Sequence, residues 1–313
     1  MSGPGPLAGI RILEVGVMLA GPYATMLLAD LGAEVIKIEP PGGEISRQVS
    51  DSYFASLNRN KQSVCLDLRS EAGRKQLGQL VANSHALLVN MKPSAIRRLG
   101  LTYESLRRYN EKIVCVALTG FGMDGGDDPA FDYVIQAGTG VAAMTGDPDG
   151  PPTLPGYSAA DNSTGLTAAL GLLAQVVSGR GGQVEVSLRD VVMSQLNYRA
   201  SAYLNDGIEP RRHPNGAHSY YVPAQLFPTA DGYLALFITT MPSGGCSPRR
   251  QAYPAFRRWR NARRSATRCS PSPPRRCPPT ARRTGRPGYV RSASRPPRCV
   301  RCPTRWRRRL RSS

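Results

Sequence analysis

The sequence predicts an α/β fold: a Rossmann-like, doubly wound parallel sheet with helices on both faces. Three observations predict it. Aliphatic runs of strand length recur along the chain, at residues 10–16 (IRILEVG), 34–39 (EVIKIE), 86–90 (ALLVN) and 113–120 (IVCVALTG). Between them lie stretches with apolar residues three and four apart, so strands alternate with helices. The connections are compact, which makes parallel pairing through right-handed crossovers the default.

The elements follow in order. After the first strand, Gly21-Pro22 opens a helix with proline at an early position, Tyr23, Met26, Leu27 and Leu31 give it a packed face, and Gly32 ends it. The turn between reads Gly16-Val17-Met18-Leu19-Ala20-Gly21, not G-x-G-x-x-G, so the dinucleotide fingerprint is absent and a nicotinamide enzyme is disfavoured. Residues 63–68 (SVCLDL) read as a strand, 71–83 as an amphipathic helix and 97–100 as the close of a short one, and Thr102 caps the next. A loop rich in turn formers spans 120–129. A strand at 183–187 (QVEVS) precedes a helix at 188–204, and a polar linker at 206–223 leads to a last strand at 232–239. The expected organisation is a large α/β domain over 1–205, a linker and the start of a smaller domain over 206–240, and a tail over 241–313.

The formal charge of +19 suggests a nucleic-acid binder until the charges are located. Residues 1–240 hold nineteen Lys and Arg against all twenty-two Asp and Glu, whereas 241–313 hold twenty-two Arg and no Lys, Asp or Glu. The tail is rich in Pro, Ser and Cys and shows neither helical nor strand period, so it is expected to be disordered. Its composition is that of GC-rich DNA read out of frame, and this reading is preferred over a basic arm that neutralises phosphates. Five of the seven cysteines lie there, but Cys299-x-x-Cys302 has no second pair at metal-ligand spacing, so no metal site is expected. Cys65 and Cys115, in apolar runs, read as buried thiols of a reduced compartment. With no span of membrane length and no signal segment, the expectation is a cytoplasmic protein with no membrane or specific nucleic-acid partner.

One carboxylate stands out. Small residues, Pro155-Gly156-Tyr157-Ser158-Ala159-Ala160, lead to Asp161, and Leu166, Ala169, Leu170, Leu173, Ala174 and Val177 then recur at helical spacing as a face for a core. Asp161 falls where an N-cap belongs. It could serve as a cap alone, or the same setting could present an ionised carboxylate nucleophile to a substrate carbonyl.

Several segments in order bear on that choice: residues 6–43 (PLAGIRILEVG to AGPYATMLLADLGAEVIKIEPPGG), LNRNKQSVCLDL at 57–68, RRLGLTYESL at 97–106, LTGFG at 118–122, FDYVIQAGTG at 131–140, GDPDGPPT at 146–153 and GRGGQVEVSLRDVV at 179–192. Over about residues 6–240 the chain resembles the family III CoA-transferases, a family that includes formyl-CoA transferase, carnitine CoA-transferases and α-methylacyl-CoA racemase. The resemblance implies acyl-CoA:carboxylate CoA transfer through an aspartyl-acyl anhydride and an aspartyl-CoA thioester, with Asp161 as nucleophile. It implies CoA contacts at Asn58, Arg59, Lys61, Asn90, Lys92 and Arg98, Lys92 standing where the family usually has Arg. The substrates would be acyl-CoA and a carboxylic acid acceptor, with no tightly bound cofactor. Phe131 occupies the position of the racemase branch's histidine, so a racemase is the alternative and the transferase the preferred reading. The family's small domain and glycine-rich loop are not recognisable beyond residue 240. The chain is therefore expected to be a truncated product with little or no activity, or a non-catalytic fragment, unable to form the family's interlocked homodimers.

Overall fold

The computed structural model describes residues 5–238. The arginine-rich stretch 241–313 lies outside them, and so does its expected disorder. In chain order the elements are β1 (Arg11–Val15), α1 (Ala20–Asp30), β2 (Glu34–Glu39), α2 (Asp51–Asn58), β3 (Lys61–Cys65), α3 (Glu71–Ala82), β4 (Ala86–Asn90), α4 (Pro93–Arg98), α5 (Tyr103–Leu106), β5 (Val114–Thr119), α6 (Asp132–Gly138), α7 (Val141–Met144), α8 (Ala159–Val177), β6 (Gly182–Ser187), α9 (Leu188–Gln195), α10 (Asn197–Asp206), β7 (Ala224–Pro228) and β8 (Tyr233–Phe237).

Strands β1 to β6 form one parallel sheet in the order β3-β2-β1-β4-β5-β6. The central strands are aliphatic throughout because both faces are covered. Alternation divides them cleanly. Ile12, Ala86, Leu88, Val114, Val116 and Leu118 face a core built with α1, α8 and α9. Leu13, Val15, Leu87, Val89, Cys115 and Ala117 face a second core shared with α3, α4 and α5. The direction of winding reverses between β1 and β4. In open α/β sheets the crevice beyond the carboxyl ends of the strands at such a point is where ligands bind.

The described residues fall into two compact units, one of residues 5–145 and 152–210, the other of 146–151 and 211–238. In the second, β7 and β8 pair antiparallel, so the last strand is not part of the parallel sheet. His218, Tyr221 and Phe237 stack there with centroids 5.0–5.7 Å apart.

Several expectations need correction. β3 begins at Lys61 rather than residue 63. Cys65, at the end of that edge strand, is exposed, while Cys115 is buried and its thiol is pushed up to about 12 by that burial. The helix expected over 188–204 is two helices, broken at Asn197, whose φ is 25°. The sequence reading also missed α6 and β7. Helix α8 buries a different face from the one its leucines suggest. Ala160, Thr164, Gly165, Ala168, Ala169 and Leu172 are buried, while Leu166, Leu170 and Val177 are exposed. Small residues won because α8 lies directly against α1: a Cβ on Gly165 would stand 2.7 Å from the Ala20 carbonyl oxygen.

Candidate active site

Helices α1 and α8 both run back along parallel strands on the same face of the sheet, so both begin at its carboxyl edge. Gly165 packs on Ala20, the first residue of α1. Asp161, one turn earlier on α8, therefore projects beyond the start of α1, beside the loop of residues 16–19 at the switch point. Asp161 is not the N-cap: α8 starts at Ala159, Ser158 occupies the cap position without a side-chain hydrogen bond, and Asp161 sits within the first turn. Its backbone N–H is capped from another helix, donating to Asp132 Oδ2 at 3.0 Å. Asp132 Oδ1 in turn accepts a hydrogen bond from Gln136 Nε2, one turn along α6. Burial, and next the neighbouring Asp132 charge, push the half-buried Asp161 carboxyl up to about 7. Tyr53 on α2 is raised by its own burial and then by the charges of Asp161 and Glu44, which places its hydroxyl within the field of both.

The loop below is held at three successive residues. Lys37 Nζ donates to the Gly16 carbonyl at 3.0 Å. The Asn90 carboxamide both accepts from the Val17 N–H and donates to the Val17 carbonyl, each at 2.8 Å. Glu44 Oε2 accepts from the Met18 N–H at 3.1 Å. Met18 has φ 59°, a left-handed conformation that a methionine adopts only where its surroundings impose it. Gly21 lets α1 start close to this clamp, since a Cβ there would meet the Asn90 carboxamide at 2.7 Å.

Beneath the loop lies a buried ionic network. Glu14 receives Lys37 Nζ on one oxygen at 2.7 Å, and Lys61 Nζ at 2.7 Å and the Thr25 hydroxyl at 2.6 Å on the other. The Lys37, Lys61 and Glu14 side chains are at most 2 % exposed. Burial works against the Glu14 charge, but the two ammonium groups outweigh it and hold the carboxyl below its usual range. Burial dominates at Lys61 and brings it down to about 8. The two directions express one balance between desolvation and pairing.

The expected CoA-contact residues fall into two groups. Asn58 and Lys61 are buried partners of each other, Lys61 Nζ donating to Asn58 Oδ1 at 3.0 Å and to the Pro22 carbonyl at 2.8 Å. Asn90 is engaged with Val17 as above. Arg59, Lys92 and Arg98 are exposed at the surface, Arg59 paired with Asp30. Lys92 forms the N-cap position of α4, and Arg98 ends that helix. The sequence reading missed Asp132, Gln136, Tyr53 and Glu44. Only Asp132 carried a hint, standing beside the Phe131 that replaces the racemase histidine. Among the described residues no cluster of three or more His, Cys, Asp or Glu is arranged to hold a metal ion, and no helix is long and apolar enough to cross a membrane.

Comparison with known proteins bears on this geometry. The family model described as CoA-transferase family III matches residues 7–243. A succinate–glutarate CoA-transferase of Agrobacterium fabrum is 36% identical over 253 residues, a match covering 74% of this chain and 63% of that protein. A succinyl-CoA:mesaconate CoA-transferase of Haloarcula hispanica is 35% identical over 253 residues, covering 74% and 64%. A crystal structure of a CAIB/BAIF family protein from Brucella suis superposes with TM-score 0.70 at 32% identity, over 75% of this chain and 66% of that one. The chain thus spans somewhat less than two thirds of the length of these curated relatives.

Proposed function

The chain belongs to CoA-transferase family III, and we propose that it is an acyl-CoA:carboxylate CoA-transferase whose nucleophile is Asp161. The observation that carries this reading is the placement of Asp161: half-buried, in the first turn of α8, beyond the start of α1 and beside a second carboxylate at the switch point of the sheet. A carboxylate so placed can meet a thioester carbonyl with no metal and no separate base.

The steps balance as follows. A carboxylate oxygen of Asp161 attacks the thioester carbon, and CoA leaves as thiolate, giving an aspartyl-acyl anhydride. The thiolate attacks the aspartyl carbon, releases the donor acid as a carboxylate and forms an aspartyl-CoA thioester. The acceptor carboxylate displaces the thiolate to give a second anhydride. Attack of the thiolate on the acceptor acyl carbon then yields the new acyl-CoA and restores Asp161.

Only ionised Asp161 is nucleophilic, so a pKa near 7 leaves the reactive form well populated at neutral pH. We assign the phosphates of CoA to the exposed Arg98 and Lys92 near the carboxyl end of β4, where Arg98 offers charge-assisted contacts. Asn90 acts from beneath, fixing the loop on which the substrate rests, while Lys61, paired with Asn58, supports the first turn of α1 through the Pro22 carbonyl. The relatives act on dicarboxylates by their names, and a small dicarboxylic acid is proposed as the acceptor here. The test is to incubate the chain with succinyl-CoA, quench with hydroxylamine and map the hydroxamate by mass spectrometry. The proposal expects it at Asp161, and a hydroxamate elsewhere, or none above an Asp161→Ala control, would overturn it.

A further inference from the structure

Gln136 has a feature that nucleophilic catalysis by Asp161 does not explain. Its side chain is 1% exposed, and its carboxamide oxygen is buried with no hydrogen-bond partner, while its Nε2 donates to Asp132 Oδ1. A buried unpaired acceptor is unfavourable, and a methionine or leucine of similar volume would avoid it. A pair one turn apart on a helix surface is ordinarily a minor local stabiliser. This pair is inside the protein, and its acceptor carboxylate has its other oxygen on the backbone N–H of Asp161.

We propose that Gln136 is a positioning residue: by donating to Asp132 it holds that carboxylate on the Asp161 N–H, and so keeps a second carboxylate in place beside the nucleophile. A carboxylate held beside another disfavours the neighbour's charged form, so the Asp161 titration reports whether Asp132 is in place. Asp132 receives two donors, Gln136 Nε2 on one oxygen and the Asp161 N–H on the other. Asp161 lies in the first turn of α8, where its carboxyl is raised first by burial and then by Asp132. The other titratable groups facing it are Asp132 on α6 and Tyr53 on α2, with Glu44 acting on Tyr53 from the segment after β2. The consequence for the reaction is that Asp132 and the first turn of α8 are held as one unit around the nucleophile. The inference takes from the preceding section that Asp161 is the nucleophile, but its test reads protonation and does not depend on turnover.

The test is a carboxyl-carbon NMR titration of the whole 313-residue chain, labelled at aspartate, with the two signals assigned through Asp132→Asn and Asp161→Asn. In the parent the step near neutral pH should be carried by Asp161. In Gln136→Met, which keeps the volume and removes the unpaired oxygen, the thermal midpoint should hold or rise. The Asp161 step should move to lower pH, by up to about one unit, because the Asp132 carboxylate is no longer held against it. Gln136→Asn, whose amide is one methylene too short to reach, should do the same and serves if the Met variant does not fold. In the Asp132→Asn background, Gln136→Met should no longer alter the Asp161 curve. An Asp161 curve unchanged by either folded variant would overturn the proposal. Loss of the hydroxamate at Asp161 with the titration behaviour intact would instead count against the nucleophile and leave Gln136 in its role.

Discussion

Replacing Lys61 by methionine separates two accounts of that residue. If Lys61 met CoA, its loss would weaken binding and leave stability nearly unchanged. The structure instead uses all three of its N–H groups internally, on Glu14 Oε2 at 2.7 Å, the Pro22 carbonyl at 2.8 Å and Asn58 Oδ1 at 3.0 Å. Its loss leaves Asn58 Oδ1 without its donor and Glu14 with one cation instead of two, while the Pro22 carbonyl keeps the Thr25 hydroxyl at 3.2 Å. Removing one partner of a buried ion pair costs about 3–5 kcal/mol. Glu14 keeps Lys37 and Thr25, so the low end applies, about 3 kcal/mol, a large share of a typical domain's stability. Urea unfolding followed by circular dichroism measures it. Arg98→Ala is the control, exposed at the end of α4, with an expected cost within about 0.5 kcal/mol. A Lys61→Met variant within about 1 kcal/mol of the parent would refute the reasoning.

Further predictions follow from the same geometry. Gly165→Val places a branched side chain against the Ala20 carbonyl. It should cost about 1–3 kcal/mol in urea unfolding and, by prising α8 from α1, reduce labelling of Asp161 by acyl-CoA. That labelling should rise with pH up to about 7 and level off above it, because the carboxyl pushed up to about 7 reacts only when ionised; a rate independent of pH from 5 to 8 would count against it. Glu39 is held down to about 2: burial opposes its charge, but Arg47, Ser63 and the Glu44 N–H outweigh it. It thus contributes stability that is complete above its unfolded value near 4.5 and is lost as pH falls through about 2. Glu39→Gln should flatten acid denaturation over that window, and a steepness equal to the parent's would contradict this. Arg98→Ala should weaken CoA binding and reduce its salt dependence, measured by calorimetry at two ionic strengths.

Much of the sheet was legible because strands covered on both faces must be aliphatic, and the runs in β1, β4 and β5 could be little else. Helix α8 was legible as a helix but not in its orientation. Spacings of three and four also describe the exposed line of Leu166, Leu170 and Val177, and only the close approach of Ala20 to Gly165 shows that small residues form the buried face. Asn197 broke a helix the sequence left continuous, through a backbone angle no composition announces. Asp161 was singled out as the candidate nucleophile because small residues precede it and a family motif surrounds it. Asp132 and Gln136 were not, because their meaning lies in a contact across 29 residues of chain. Lys61 and Asn90 were recognised as important for a different reason from the one the structure displays. A lysine in an N-R-N-K run reads as surface charge until its three buried acceptors are seen.

The central claim is that Asp161 becomes covalently joined to substrate in every cycle. If so, an acceptor carboxylate labelled with oxygen-18 leaves one of its oxygens on Asp161 when the second anhydride is cleaved at the acceptor's acyl carbon. The chain should be incubated with an acyl-CoA and the labelled acid, digested, and the segment carrying Asp161 weighed. The account predicts label in the Asp161 carboxyl, increasing with turnover and absent when CoA is omitted. Transfer of CoA to the labelled acid with an Asp161 carboxyl free of oxygen-18 would contradict it.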